Sequence, residues 1–484
     1  MRVMFTLDEA VRTTGGKLAA KASGPVQAGS VIITGVSTDT RTVADGNLFV
    51  GIRGENFNGC EYASQAIDKG ASCVVVDDES YIPEGGIGIV VGNTIDALGA
   101  LARAYRFKLG AKVIAVTGSV GKTSTRNMIA DVLRTGLKVH STSANNNNEI
   151  GMSRTILEAP EDTQVMVLEM GMRALGEISY LTAIARPDIA VITNVGYSHI
   201  GRLGSRENIM KAKMEIAEGL TDGGILAVNA DDGSLLGYAI DNLSGGKVIA
   251  AVSAEGGTDI SVCPLSVSAE DLTEDEEGMS FGVRSNIDGD KYDPDDRFIV
   301  PHHGAFAVRN ALFALFCAYS CGLKDSAEIK DVIARSGLGE GRGKITLTEK
   351  YLIVNDAYNA APESMENAFR SFSWTARGRR KIAVLGGMLE LGDYAAELHE
   401  MTGRSCAKYG FDIILVTGEN AGDFIRGARE ADAGLDITQC PDTQAVGAEL
   451  ERIIKPGDAV LFKASHSFGF EALAKTFTEK GNEA

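Results

Sequence analysis

Apolar and polar positions divide the chain into three stretches in which short β-period runs alternate with longer amphipathic ones. In residues 1–106 the runs VIITGVS, NLFVGIRG, CVVVD and IGIVVG, separated by turn residues and short helical segments such as YASQAIDKG, predict a small α/β unit. In residues 107–338, KVIAVTG, QVMVLEM, DIAVITNVG and GILAVN each precede a helix-period segment, the order expected of a largely parallel sheet with helices on its faces. Residues 245–300 interrupt that order with β-leaning runs and an acidic turn, EDLTEDEEG, read as solvated loop. From 339 to 484 the alternation restarts with YLIVND, a helix opening near Pro362, KIAVLGG, a helix around 395–409, DIILVTG, a further helix and AVLFKAS, predicting a second, smaller open α/β sheet. Ligands of such sheets bind at the carboxyl ends of the strands, so chemistry is sought there.

Composition narrows the function classes. A length of 484 residues accommodates about three units of ~150 residues, each able to bury a core. No apolar run approaches the ~18 residues of a spanning helix, and the N-terminal MRVMFTLDEA meets acidic residues too early for a secretory signal. A cytoplasmic protein without a membrane span is expected. The net charge of -18, with no long Lys/Arg block, repels a phosphate backbone and argues against nucleic acid as a partner. Seven cysteines without a Cys-x-x-Cys pair read as buried thiols in a reducing compartment.

The segment VTGSVGKTST carries the sharpest chemistry. A β run ends at Thr117 and a helix begins near Thr123, so the backbone N–H groups of Gly118, Ser119, Val120 and Gly121 can point at phosphates, aided by the helix dipole. Val116 stands where the common P-loop pattern has glycine, which makes this a T-G-x-x-G-K-T-[ST] variant ending in Ser124. Lys122 is placed to neutralise β and γ phosphates, and the Thr123 hydroxyl to reach Mg²⁺. Glu169 ends the run QVMVLEM and His199 follows the run DIAVITNVGYSH, where a carboxylate and an imidazole suit a hard divalent cation. In GSRENIMKAKMEIAEG, Ser205 caps a helix whose polar face holds Glu207, Lys211, Glu215 and Glu218. Lys213 instead shares a face with Ile209, Ile216 and Ala217, so it either snorkels or is buried. A partly buried lysine shifts toward the neutral amine that reacts with CO₂ to give a carbamate.

At this point the chain resembles the Mur ligases, ATP-dependent amide-forming enzymes of peptidoglycan synthesis. The first stretch, STDTRTVADGNLFVGIRGENFNG, looks like a uridine-nucleotide-binding segment, which implies Ser37, Asp39 and Arg41 as contacts for a UDP end; turn chemistry is their plain alternative. TGSVGKTST, NNNNEIG, LEMGMRALGEI and NVGYSHIGRLGSRENIMKAK follow the family in order. The resemblance implies Lys122 and Thr123 on the ATP phosphates and metal, Glu169 and His199 as magnesium ligands, Asn147 and Asn148 near the muramoyl-peptide, and Lys213 at a position carbamylated in relatives. VRNALFALFCA implies Asn310 as an adenine contact, while EGRGK, NDAYNAAPESM and GGMLELG imply that Arg342 and Asp356 complete the nucleotide site, with Tyr358, Asn359 and Pro362 on the same surface. The chain departs from the family at Asn58 and Cys60, where Asp and His are common, at Phe306 in place of His, and at His466 in place of Arg.

The implied architecture is a small α/β N-terminal unit, a central P-loop mononucleotide-binding parallel sheet and a Rossmann-like C-terminal unit. The implied reaction phosphorylates the terminal carboxylate of UDP-MurNAc-tripeptide with ATP and Mg²⁺, and the amine of D-Ala-D-Ala displaces phosphate from the acyl phosphate. With no Ser/His/Asp or Cys/His arrangement of comparable standing, catalysis rests on electrostatics and proximity. The expected enzyme is a monomer whose last unit closes over the intermediate. Whether the tripeptide ends in lysine or diaminopimelate is open in the sequence. Two other readings compete: another Mur-type or folylpolyglutamate ligase, and a P-loop NTPase switch that needs no UDP-binding unit.

Overall fold

A computed structural model of the chain describes residues 3–21, 28–54, 56–256, 258–287, 289, 291, 293–337 and 341–482. Parallel strands need covered faces and crossover helices, and the described residues comply in three sheets. The first is five-stranded, with Gly35–Ser37, Asn47–Val50, Cys73–Val76 and Ile87–Val90 parallel and Lys17–Ala20 antiparallel on the edge. A separate pair, Phe5–Thr6 with Ile32–Ile33, closes beside it.

The central sheet has nine strands. Lys112–Thr117 lies between Val165–Glu169 and Ile189–Ile192, all parallel, with Glu169 opposite Val116 and Ile192 opposite Thr117. Strand order therefore turns on Lys112–Thr117, and the crevice of an open sheet lies at such a point. The register brings Thr117, Glu169 and the residues after Ile192 to one edge. Val139–Ser141, parallel to Val165–Glu169, forms one edge; past Ile225–Asn229 and Val248–Ser253, the strands Leu265–Asp275, Gly278–Ser285 and Arg297–Val300 complete the other side, the last two antiparallel. The acidic stretch read as solvated loop is thus largely a hairpin strand, its side chains exposed or half-buried, while Val267 earlier in the same strand enters the core.

The third sheet runs Lys344–Leu347, Leu352–Asn355, Ala459–Lys463, Lys381–Leu385, Ile413–Val416, Ile437–Gln439, parallel except for the first edge strand. The expected junction at 338 lies outside the described residues. The other, at 106, falls inside one continuous helix, Thr94–Leu109, which packs on the helices Glu149–Glu158 and Glu177–Ala185 of the central unit. From it, Tyr105 donates to the Ala159 carbonyl at 2.9 Å, and buried Arg106 donates to the carbonyls of Ala185 and Arg186 at 2.9 and 2.8 Å. No helix among the described residues is long and apolar enough to cross a membrane.

Candidate active site

The phosphate loop is shaped by its glycines. Gly121 adopts φ 82°, which an L side chain tolerates poorly, and caps the helix Lys122–Leu133. A Cβ on Gly118 would sit 1.9 Å from the Thr193 hydroxyl, so only glycine lets the loop lie against the neighbouring strand end. Asn194 pins it: its Oδ1 accepts from the N–H groups of Ser119 and Val120, both at 3.0 Å. The Ser119 hydroxyl in turn accepts from Gly196 N–H at 2.8 Å. Thr117 lies beneath the loop, its hydroxyl donating to the Met170 carbonyl.

Lys122 folds back over this loop and donates to the Gly118 carbonyl at 2.7 Å. Burial pushes its ammonium below the ordinary lysine value, Arg342 adds to the effect and Glu169 opposes it. Glu169 is buried and well held: it accepts from Thr123 Oγ1 at 2.8 Å and from Asn147 Nδ2 at 2.9 Å, and Arg126 lies 3.6 Å away. Lys213 is 2% exposed, and its amine has no hydrogen bond or ion pair with any described residue. It does not snorkel. Burial, reinforced by Lys122 and opposed by Glu363, drives it well below the ordinary lysine value, toward the free amine. His199, at φ 65°, is lowered by burial against the pull of Glu390, and its Nδ1 is a buried atom without a hydrogen-bond partner although Glu390 Oε2 lies 2.5 Å away.

Lys122, Glu169 and His199 border a cleft of about 1300 Å³ lined from all three units; Lys213, expected beside them, is not part of its lining. The first contributes Asn93, Ile95 and Asp96; the centre contributes Ser119 to Ser124, Asn147, Asn148, Glu169, His199, Phe306 and Asn310; the third contributes Arg342, Asp356, Tyr358 and Asn359. The Arg342 guanidinium stacks 4.2 Å over the Tyr358 ring. Asp356 is held by Lys463 at 2.9 Å and by Gly343 N–H at 3.1 Å, while burial raises its pKa. The Asn359 carbonyl accepts from Lys463, and Pro362 opens the helix Pro362–Thr375. Asn310 Oδ1 accepts from buried Thr125, and Asn148 caps the helix Glu149–Glu158.

Other expected residues lie elsewhere. Ser37, Asp39 and Arg41 do not line the cleft: Ser37 bonds Thr42 and the Asp39 carbonyl, and Asp39 pairs with exposed Arg41, which holds its carboxyl down at about 2. Glu215, placed on the polar face by helical spacing, is buried, because a 3₁₀ turn (Glu215–Ala217) ends its helix and aims it at the N–H groups of Gly176 and Ser179. Lys211 and Glu207 do pair at the surface, and Ser205 caps their helix. Buried Cys60 donates to the Gly51 carbonyl, Asn58 reaches the Tyr81 hydroxyl, and His466 is exposed beside Tyr358.

Three site residues escaped the sequence reading. Asn194 was visible only as a polar residue at a strand end, Arg126 as a charge one turn after Thr123, and Glu363 as an ordinary acid in a helix's first turn.

A shortened phosphate loop at the turning point of a parallel sheet, faced across one cleft by a second such sheet, is the layout of the Mur ligases, and the chain belongs to that family. The Mur ligase middle domain matches residues 116–318, the Mur ligase glutamate ligase domain 341–466 and the Mur ligase family catalytic domain 32–106. The UDP-N-acetylmuramoyl-tripeptide--D-alanyl-D-alanine ligase of Bacillus subtilis (strain 168) is 35% identical, covering 93% of this chain and 94% of its own length. That of Escherichia coli (strain K12) is 28% identical over 95% of this chain and 97% of its own. Among solved structures, MurF from Acinetobacter baumannii superposes with a TM-score of 0.82 at 26% identity, covering 98% of this chain and 99% of that one. MurF ligase from Thermotoga maritima in complex with ADP gives 0.76 at 26% identity, covering 92% and 97%.

Proposed function

We propose that this protein is the ATP-dependent ligase that joins D-Ala-D-Ala to UDP-MurNAc-tripeptide, giving UDP-MurNAc-pentapeptide, ADP and phosphate for peptidoglycan. The observation that carries the reading is the common cleft, in which the phosphate loop and Glu169 of the central unit meet Arg342 and Asp356 of the third. The likeness to D-Ala-D-Ala ligases along nearly the whole chain supports it over a switch NTPase or another acceptor. The division into units at 1–106, 107–338 and 339–484 belongs to the same proposal, as do action in the cytoplasm as a monomer and Ser37, Asp39 and Arg41 at the UDP end.

In this mechanism Lys122 and the free N–H groups at the start of the helix Lys122–Leu133 hold the β and γ phosphates, those of Ser119 and Val120 being taken by Asn194; Arg342 adds positive charge from the third unit, and Asn310 lies toward the base. Phosphoryl transfer is mainly positioning and charge neutralisation, which these groups perform. Asn147 and Asn148 border the donor peptide, and Tyr358 and Asn359 face them. Closure of the third unit excludes water from the acyl phosphate.

The donor set also fits Mg²⁺. Thr123 and Glu169 already touch, His199 lies on the same cleft with its Nδ1 against the Glu390 carboxylate, and Lys213 is a buried amine suited to carbamate formation. No three His, Cys, Asp or Glu side chains converge there among the described residues; Thr123, Glu169 and His199 would hold one Mg²⁺, and a carbamate on Lys213 would help hold a second. Bound Mg²⁺ would neutralise phosphate charge. Phosphate release should require UDP-MurNAc-tripeptide and D-Ala-D-Ala together, with one amide per phosphate; release indifferent to either substrate would replace this reading with the NTPase switch.

A further inference from the structure

Resting on that reading, we propose that Glu363 is the counter-ion that receives the ammonium group of the incoming acceptor. An amine at neutral pH arrives mostly as a cation, and the cleft must offer it an anion that is not already satisfied. Glu169 is engaged by Thr123 and Asn147, Asp356 by Lys463 and Gly343 N–H, Asp232 by Arg206 and Leu235 N–H, Asp96 by the Tyr180 hydroxyl and Glu177 by Arg173 N–H, while half-buried Glu149 is open to water. Glu363 differs. Its Oε1 accepts from Tyr197 N–H at 2.9 Å across the seam between the units, and its Oε2 is shut from solvent without a hydrogen-bond partner.

The surroundings prepare this place. Glu363 stands in the first turn of the helix Pro362–Thr375, so it belongs to the third unit and enters the cleft only when that unit meets the central one. Its carboxylate lies flat on Gly196: a Cβ there would meet Oε1, Cδ and Oε2 at 2.1, 2.3 and 2.7 Å. Burial raises its pKa while Tyr197, Arg206 and Lys213 oppose the rise, so an arriving cation supplies the stabilisation that the carboxylate otherwise lacks. The acceptor enters before closure, and closure encloses the ion pair beside the loop.

The test uses the whole protein with ATP, Mg²⁺ and UDP-MurNAc-tripeptide, and compares capture of the acyl phosphate by D-Ala-D-Ala with capture by hydroxylamine, which is uncharged at neutral pH. Wild-type enzyme yielding D-Ala-D-Ala-dependent amide establishes the underlying reading; no amide and no hydroxamate would remove that reading and this inference together. Given a competent wild type, Glu363→Gln keeps an acceptor for Tyr197 N–H but loses the charge. It should raise the KM for D-Ala-D-Ala about tenfold or more and lower the amide-to-hydroxamate ratio by a similar factor. Gly196→Ala, which displaces the carboxylate without removing it, should lower the same ratio. A Glu363→Gln enzyme whose ratio stays within twofold of wild type, or one that loses both products equally, would overturn the assignment.

Discussion

The central unit meets its two neighbours through different kinds of seam. Toward the first unit it is joined by the helix Thr94–Leu109, whose Leu98, Leu101 and Ala102 are fully buried and whose Arg106 bonds carbonyls and Asp188 of the central unit, and by packing of the helix Glu149–Glu158 on the strand Gly35–Ser37. Toward the third unit the hydrogen bonds are few and polar: the Tyr358 hydroxyl to Asn145, Tyr197 N–H to Glu363, Gly201 N–H to the Glu390 carbonyl and the Tyr394 hydroxyl to the Gly204 carbonyl. Exposing apolar surface to water costs about 25 cal/mol per Å², whereas exposed hydrogen bonds exchange for water at little net cost. By their hydrogen bonds, the first seam is the more shielded from water and the second the more exposed. The loop and Glu169, proposed to handle phosphate, belong to the central unit, and Arg342 and Tyr358, proposed to enclose the intermediate, lie across the second seam.

Lys122→Ala tests the chemistry that both seams serve and carries the largest expected effect. Turnover should fall at least about 10³-fold with the circular dichroism spectrum unchanged; normal activity would remove the loop from the mechanism. Lys213→Ala should be nearly as severe, and short carboxylic acids should partly restore its rate if a carbamate is the working group. Absence of rescue at any concentration would leave Lys213 as an amine.

Stability separates the two seams. Arg106→Met strips three carbonyl and carboxylate partners of their donor at the first seam and should cost about 3 kcal/mol in denaturant unfolding. Tyr358→Phe, at the second, should leave unfolding within about 0.5 kcal/mol and raise a KM a few-fold. Equal destabilisation by the two variants would break the comparison.

The smallest effect is a pH dependence. Lys213 has a folded pKa below its unfolded value, so the unfolded chain binds more protons between the two and stability rises with pH through that window. Lys213→Met should therefore be more stable than wild type at pH 7 in CO₂-free buffer, with an advantage that shrinks as pH approaches the ordinary lysine value of about 10.4. A constant advantage at all pH values would show that packing, not charge, is responsible.

Much of this was present in local pattern. Every run quoted from the sequence as a strand contains one, because burial on both faces of a parallel strand demands a continuous apolar run, and the loop's Gly-x-x-Gly-Lys-Thr spacing dictates a phosphate-facing turn whatever surrounds it. Lys213 was singled out by helical period alone, since 100° per residue puts it among Ile209 and Ile216. Period fails where a helix ends, which is why Glu215 turned inward. Strand order is long-range: nothing local says that Lys112–Thr117 lies between Val165–Glu169 and Ile189–Ile192, and that order alone brings Asn194 onto the loop beside Glu169. Glu363 depends on still more, for an acid after a proline at a helix start is ordinary until a second unit folds over it, takes one oxygen and encloses the other without a partner.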